Sequence, residues 1–258
     1  MNWGLACHSM DRVTNLSQAV FGLVQCRRTN RSSSRWKRRL RLTLAISLLS
    51  FSAACIAENQ KPVNLLNWRV LGVGTAESEE SDSAVRLTEG AYSKGVVLLS
   101  PSTYGQRVVV TFEVKPLVHE LICVLFLSAS SIAGPEIDPG EDYDGNFDYW
   151  RGTQAQVSSY TFAFHTGFHQ PYAFVIRNPG PVELDKRRDL AVEQRWYQVE
   201  FGREGKEVWL NVDGQELLRG VDPTEGALPG GHIGFRIRGP GNGSAAALYR
   251  NVYIRDLD

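Results

Sequence analysis

The chain has 258 residues, in which 28 basic side chains balance 28 acidic ones. This length suits one large all-β domain or two small domains. The balance conceals a basic segment, because eight Lys and Arg residues and no acidic residue lie between Arg27 and Arg41. We expect this segment to be removed from the mature protein, so the composition argues against nucleic acid as a partner.

Residues 1–57 have the features of a secretory leader. A basic region at 27–41 precedes an apolar region at 42–54, which is shorter than the about 20 apolar residues that a transmembrane helix needs. Small residues follow, and Ala57 is the candidate last residue before cleavage. We expect an exported protein, periplasmic or extracellular, with no transmembrane span when mature. Cys55 also follows small residues, as acylated cysteines do, so lipid anchoring through Cys55 is the alternative.

Residues 58–258 show strand periodicity and are predicted to form a single domain. Apolar and polar side chains alternate in four segments: 107–115, 194–201, 206–213 and 232–238. A period of two over so many segments predicts antiparallel sheets, each with one face packed against a core. No segment of this domain has a convincing helical period. The predicted fold class is all-β, a two-sheet antiparallel sandwich or jelly roll.

The inward faces of these strands predict the core. Seven apolar residues are expected to lie between the sheets: Val110, Phe112, Leu125, Val199, Leu210, Ile233 and Phe235. Cys123 lies within an apolar run at 121–127 and is predicted to be a small buried side chain rather than a catalytic thiol. The acidic segment 77–82 is predicted to be a solvated loop.

The segment 141–180 carries more potential chemistry than any other part of the chain. It contains four carboxylates, two closely spaced histidines and many aromatic side chains. Aromatic faces interleaved with acids and amides are typical of a sugar-binding groove, so this segment predicts contact with a polysaccharide or oligosaccharide. Trp150 and Tyr160 are the predicted stacking residues. The predicted polar contacts are Asp148, His165, His169, Arg177 and Asn178.

Two patterns in this segment could hold an ion. Oxygen ligands occupy every second position of the acidic loop: Asp142, Asp144, Asn146 and Asp148. This pattern suits a structural calcium ion, but Asx turns in a solvated loop have the same pattern. His165 and His169 are four residues apart, a spacing that suits zinc on a helix but not at a strand end. We therefore expect either no cofactor or a calcium ion.

The candidates for catalysis are His165, His169 and Asp148, because histidine titrates near neutrality and a loop carboxylate can transfer a proton. Histidines without any role are equally compatible with the pattern. Residues 136–141 have the letters of the ExDxxE motif of some glucanases, but Pro139-Gly140 interrupts the strand that such a motif needs. The loop interpretation is therefore favoured for 136–141.

Arg236 joins Arg177 and Asn178 as a residue that could contact a sugar. Arg177 and Asn178 end an apolar run, where Arg can clamp a uronate carboxylate and Asn can bond hydroxyls. The alternative is a strand-end charge that leads into an Asn-Pro-Gly turn. Arg236 lies on the outward face of its predicted strand, so it would face the same groove if its sheet is the concave one.

The last third of the domain resembles a known family in four segments. These segments are Trp196 to Phe201, Val208 to Gly214, Gly231 to Phe235 and Tyr249 to Ile254. They are similar to the ending of concanavalin A-like lectin/glucanase sandwiches, including laminin-G-type modules. The resemblance implies a concanavalin A-like jelly roll, and it leaves the function open because that fold hosts many functions.

A narrower resemblance covers most of residues 60–256. An apolar strand at 121–129, an acidic loop, a Tyr/Phe-rich strand and the segment 176–180 follow in the order of the YesU-like family. That family comprises bacterial concanavalin A-like proteins of unassigned activity associated with the use of pectic polysaccharides. It supplies no established catalytic residues for this chain.

Three functions remain open from the sequence. The first is an exported protein that recognises, and could process, an extracellular polysaccharide, including one that contains uronate. The second is a glycoside hydrolase or polysaccharide lyase that uses a loop acid and a histidine, with Arg177 neutralising a uronate. The third is a non-catalytic adhesion or structural module of the laminin-G type.

Overall fold

The described part of the chain forms two antiparallel sheets of seven strands each. The computed structural model describes residues 61–134, 136–165, 171–191, 193–241 and 245–258. The strands are β1 (Arg69–Gly72), β2 (Gly74–Glu79), β3 (Ala84–Glu89), β4 (Val96–Tyr104), β5 (Arg107–Pro116), β6 (Ile122–Ser131), β7 (Val157–Phe164), β8 (Tyr172–Asn178), β9 (Val182–Arg188), β10 (Tyr197–Glu204), β11 (Glu207–Val212), β12 (Gln215–Val221), β13 (Gly231–Arg238) and β14 (Ala246–Asp256).

The first sheet has the strand order β1-β4-β13-β6-β7-β8-β9, and the second has β12-β11-β10-β5-β14-β3-β2. Within the described residues the helical elements are three-residue 3₁₀ turns, at Leu65–Asn67, Glu80–Asp82 and Phe147–Tyr149. The chain passes from one sheet to the other several times, so strands that are neighbours in a sheet are often distant in the sequence. This confirms the predicted all-β, two-sheet antiparallel sandwich.

The main core lies between the two sheets. All seven residues predicted for it are buried there: Val110, Phe112, Leu125, Val199, Leu210, Ile233 and Phe235. Phe235 lies at its centre, with ring centroids 4.9 Å from Phe112, 5.2 Å from Tyr249 and 5.3 Å from Trp68. The period of two predicted these positions because successive side chains of a strand point to opposite faces.

Cys123 is buried in the same core, as predicted. Burial raises the pKa of its thiol well above the ordinary range, because a thiolate would be poorly solvated there. The nucleophilic form of the thiol is therefore disfavoured.

The prediction of a solvated loop at 77–82 is wrong in its first half. Residues 77–79 belong to β2, which pairs with β3 at an edge of the second sheet, and the 3₁₀ turn follows. Glu79 forms an ion pair with Arg86 across these strands at 2.9 Å. Edge strands are often charged, because charge opposes pairing with a second chain. The charged residues hide the apolar alternation by which a strand is recognised in a sequence.

The outer face of the first sheet is covered by the connection between β6 and β7. We call residues 132–156 the covering loop. Its Ile137 and Trp150 pack with Val97, Val124 and Phe126 of the sheet to form a second core. The Trp150 ring stacks on Phe126 with centroids 4.5 Å apart, and its Nε1 donates to the Tyr143 hydroxyl at 2.7 Å. Both faces of this sheet are therefore packed where the covering loop lies, whereas β9 at the edge of the sheet has no buried side chain.

Trp150 is consequently not an exposed stacking residue, and this part of the predicted site is wrong. Its side chain is 0% exposed. The polar residues around Trp150 favour a solvated loop when the sequence is considered alone. In the structure the Tyr143 hydroxyl donates to the carbonyl oxygen of Asn146 and accepts from Trp150 Nε1, so the apolar ring can pack against the sheet. Burial also raises the pKa of Tyr143 to about 12.

A buried polar cluster lies at one end of the main core and contains two other predicted site residues. Asp222 accepts hydrogen bonds from the Tyr160 hydroxyl at 2.8 Å and from the Thr224 hydroxyl at 2.6 Å. Arg177 forms an ion pair with the same carboxylate at 2.8 Å. Tyr160 and Arg177 thus stabilise a buried carboxylate, which the sequence could not reveal because Asp222 is more than 40 residues away.

We predict that Trp150→Ala destabilises the protein by about 3–5 kcal/mol, because it empties a buried aromatic site. Tyr143→Phe should cost less, about 1–3 kcal/mol, since it keeps the ring and leaves the Trp150 Nε1 without its acceptor. Denaturant unfolding of both variants and the parent measures the two losses. Parent-like stability of Trp150→Ala would contradict the second core.

We also predict that Asp222→Asn lowers stability by about 3 kcal/mol near neutral pH, because Arg177 loses its buried partner. Burial raises the pKa of Asp222, but hydrogen bonds from Thr224 and Tyr160 and the charge of Arg177 outweigh it, so the pKa is lowered from 3.8. A lowered pKa contributes stability above the ordinary value, and that contribution is lost as the pH falls through the folded-state pKa.

The difference in melting temperature between parent and Asp222→Asn should therefore narrow as the pH is lowered from about 7 to about 2.5. Asp213→Asn is the matched control, because Asp213 pairs with Arg195 at the surface, where such pairs contribute about 0–1 kcal/mol. A difference that is independent of pH would show that the Asp222 charge has no part in the effect.

Candidate functional site

The outer face of the second sheet contains an open depression of about 450 Å³. Four neighbouring strands, β11, β10, β5 and β14, supply its lining. The lining residues are Thr111, Phe112, Glu113, Gln198, Val199, Glu200, Asn211, Gly214, Asn251 and Tyr253. A volume of this size can hold a small ligand or part of a chain.

Strand pairing brings the polar lining residues together. Thr111 of β5 lies opposite Glu200 of β10, and Glu200 in turn lies opposite Asn211 of β11. Glu113 lies opposite Gln198, one outward position further along. Their apolar neighbours along each strand point into the main core, so the same period of two that fills the core assembles a polar floor outside it.

Glu200 is held by two neutral donors. Its Oε1 accepts hydrogen bonds from Trp209 Nε1 at 3.2 Å and from Asn211 Nδ2 at 3.1 Å. Its other oxygen, Oε2, has no hydrogen-bond partner among the described residues. The side chain is therefore fixed in position while one acceptor oxygen remains available to a ligand.

Glu113 is fully engaged. Arg250 donates to its Oε2 through Nε at 2.7 Å, and Asn251 donates to its Oε1 at 3.0 Å. The Asn251 hydrogen bond and the Arg250 charge outweigh burial and hold the pKa of Glu113 below its ordinary value. Glu113 thus stays ionised to lower pH and is neutralised by Arg250.

Two half-buried aromatic side chains lie on this face: Trp209 is hydrogen-bonded to Glu200, and Tyr253 is two strands away from Glu200, on the other side of Thr111. Tyr253 lines the depression from β14. The Trp209 indole lies over Gly202, where an added Cβ would be 2.6 Å from its Cζ2. Glycine at this position lets the ring approach the backbone of β10. The lining of the depression combines the Tyr253 ring with a fixed carboxylate and amides, and such a lining can bind a ligand that is both flat-faced and rich in hydrogen-bonding groups.

This depression was not predicted from the sequence. The signal was present in the outward positions of the alternating strands, where Glu113, Glu200, Trp209 and Asn211 occur instead of only Lys, Thr and Ser. Recognising it required the strand register, because these residues are separated by up to about 100 positions in the chain.

The other predicted contact residues lie on the covered side of the first sheet. Asn178 is buried, donates to Thr161 Oγ1 at 3.0 Å and accepts from the backbone nitrogen of Gly152. Arg236 is buried beneath the covering loop, donates to the carbonyl oxygens of Lys94 and Gly145, and lies over the Phe147 ring. The prediction that these side chains face a groove is wrong.

Burial also lowers the pKa of Arg236 to about 10, because the charged guanidinium is removed from water. Asn178 and Arg236 both attach the covering loop to the sheet. The covering loop fills the space that the groove predicted for this sheet would need.

The catalytic candidates do not meet in the depression. His165 is buried after β7, and its Nδ1 donates to the carbonyl oxygen of Leu121 at 3.0 Å. Asp148 is exposed in the covering loop. His169 lies outside the described residues, so its part of the prediction stays untested.

The calcium prediction receives no support from the loop geometry. Asp144 forms an ion pair with Lys94 at 2.7 Å and accepts from the backbone nitrogen of Asn146. Asn146 accepts from the backbone nitrogen of Asp148 in the same way. Within the described ranges no three His, Cys, Asp or Glu residues form a metal-ligand cluster. The alternating oxygens, with Asp142 exposed beside them, build Asx turns.

Within the same ranges, no helix has the length and apolar character that crossing a membrane requires.

No family model matches the chain. The chain is similar to the uncharacterized protein YesU of Bacillus subtilis (strain 168), with 22% identity in an alignment 224 positions long that covers 78% of this chain and 95% of YesU. This agrees with the resemblance seen in the sequence.

Solved structures show the same fold. A protein of unknown function with a galectin-like fold from Bacillus subtilis matches with a TM-score of 0.62 at 18% identity, covering 74% of this chain and 89% of that one. The carbohydrate binding module CBM66 from Bacillus subtilis has a TM-score of 0.51 at 12% identity, with coverages of 74% and 97%. The exoplasmic/lumenal domain of VIP36, in a form bound to Ca²⁺ and Man3GlcNAc, has a TM-score of 0.52 at 13% identity, with coverages of 77% and 87%.

With its two seven-stranded antiparallel sheets, the chain has the sandwich fold of these structures, and its sequence is similar to that of YesU.

Proposed function

We propose that the protein is a carbohydrate-binding module that takes a polysaccharide or oligosaccharide in the depression on the second sheet. The observation that carries this proposal is Glu200, which two donors hold in place while its Oε2 stays available in a depression that the Tyr253 ring also lines. A sugar ring offers hydroxyl donors for a carboxylate and C–H faces for aromatic rings, so the two features suit it together.

The fold supports the same class of ligand. CBM66 is a carbohydrate binding module, and the VIP36 domain is bound to Man3GlcNAc in its structure. The similarity to them establishes architecture, and the depression supplies the local chemistry in this chain.

Binding is favoured over hydrolysis. Glu113 and Glu200 both line the depression from adjacent strands, as a pair of catalytic carboxylates would. Hydrolysis also needs one of them to be a proton donor with a raised pKa. The pKa of Glu113 is lowered instead, and Arg250 neutralises its charge.

A lyase built from Arg177 and His165 lacks support as well. Arg177 pairs with the buried Asp222, and His165 bonds the Leu121 carbonyl, so neither lines the depression. An adhesion module remains the rival of a sugar-binding module, and retention on polysaccharide separates the two.

We further propose that the protein acts outside the cytoplasm. The support is the basic region at 27–41 and the apolar region at 42–54, which lie outside the described residues. Extracellular polysaccharides would then be accessible to the depression.

Replacing Tyr253 with Ala should weaken polysaccharide binding about fivefold, because one stacking contact is worth about 1 kcal/mol. Affinity electrophoresis against galactan, galactomannan and a mixed-linkage β-glucan measures retention, and an assay for reducing ends detects cleavage. The melting temperature should change little, since Tyr253 is half-exposed.

Tyr172→Ala is the matched control, because Tyr172 is an exposed aromatic residue on β8 of the other sheet. It should bind as the parent does. Equal retention of parent, Tyr253→Ala and Tyr172→Ala, or retention of none of them, would remove the support for this site.

Export predicts that residues up to about Ala57 are absent from the native protein. Mass spectrometry of protein recovered from its natural host should give a mass that begins after the leader. A lipid mass on Cys55 would select the anchored alternative, whereas an intact leader on cytoplasmic protein would refute export.

A further inference from the structure

We propose that the depression selects uncharged sugar residues and rejects uronates, and that Glu200 is the residue that sets this specificity. The inference rests on the proposed function, and it adds the class of sugar that the site accepts.

The charge of Glu200 is not compensated by a neighbouring cation. The groups that hold its Oε1, the Trp209 indole and the Asn211 amide, are both neutral. Among the described residues, Glu200 forms no ion pair. Its negative charge therefore acts on any ligand that enters the depression.

The cations nearest to this floor are already paired. Arg250 is bound to Glu113, with its Nη2 2.6 Å from Oε2. Arg219 lies 5.8 Å from the Trp209 ring, but it pairs with Glu207 and Glu216. Arg195 pairs with Asp213 at 2.7 Å. Each pair has little net charge left to attract an anion.

Two cations that form no ion pair among the described residues also lie on this face. Lys115 is on β5, with its Nζ 6.0 Å from the Trp196 ring, and Arg255 is on β14. Neither is among the residues that line the depression. The floor itself therefore contains one neutralised carboxylate, one uncompensated carboxylate and neutral side chains.

Hydrogen-bond chemistry points the same way. Glu200 Oε2 is an acceptor without a partner among the described residues, so a ligand that covers it and excludes water should supply a proton donor. A sugar hydroxyl is such a donor. An ionised uronate carboxylate has no proton to give, and it would place a second negative charge against the first.

The test compares two probes that differ only at C6 of their sugar residues. One is the uncharged polysaccharide that binds the full-length protein most strongly among galactan, galactomannan and β-glucan. The other is the same polysaccharide after its C6 hydroxyls have been oxidised to carboxylates. The parent should bind the oxidised probe at least about tenfold more weakly at low salt, since like charges a few ångströms apart repel by more than 1 kcal/mol.

In Glu200→Gln the discrimination between the two probes should fall below about threefold, because the amide keeps an acceptor oxygen and loses the charge. Glu183→Gln is the matched control: Glu183 is an exposed carboxylate on β9 of the first sheet, and its removal should leave the discrimination unchanged. Thermal unfolding confirms that both variants are folded.

The parent alone provides a second measurement. Raising the NaCl concentration from about 20 mM to about 500 mM should reduce its discrimination severalfold, since salt screens charge repulsion. Equal or tighter binding of the oxidised probe by the parent, or full discrimination in folded Glu200→Gln, would overturn the inference and leave the sugar-binding function standing. Failure to retain any polysaccharide would overturn both.

Discussion

The organisation of this molecule depends on the burial of both faces of its first sheet. The inner face packs against the second sheet, and the outer face packs under the covering loop through Trp150 and Ile137. Where this sheet is buried on both sides, it cannot present a ligand groove. The second sheet, whose outer face carries the open depression, is therefore the one available for recognition.

Burial of the first sheet also decides the roles of its polar residues. Asn178 and Arg236 lie where the covering loop meets the sheet, and each makes hydrogen bonds to backbone groups of that side. At the end of the main core, Tyr160 donates a hydrogen bond to the Asp222 carboxylate, and Arg177 forms an ion pair with it. Leaving a buried polar group without a partner costs more free energy than a hydrogen bond contributes to stability. Side chains that could contact a sugar are therefore used to complete the fold.

On the second sheet, two neighbouring carboxylates have different environments. Glu113 and Glu200 are on adjacent strands, but Arg250 neutralises the first while neutral donors hold the second. This difference makes the depression a polar site with one available acceptor and an uncompensated charge. It explains why recognition is better supported than acid–base chemistry.

The sequence by itself determined the fold class and the main core. Alternation at positions such as Val110, Phe112 and Phe235 reports the inward face of each strand directly, because the period of two is a local property of the backbone. The tertiary structure alone decided which face of which sheet is open. Trp150 could be assigned to a core, and Glu200 to a site, only when the covering loop and the β5-β10-β11 register were known, since both depend on contacts between residues far apart in the chain.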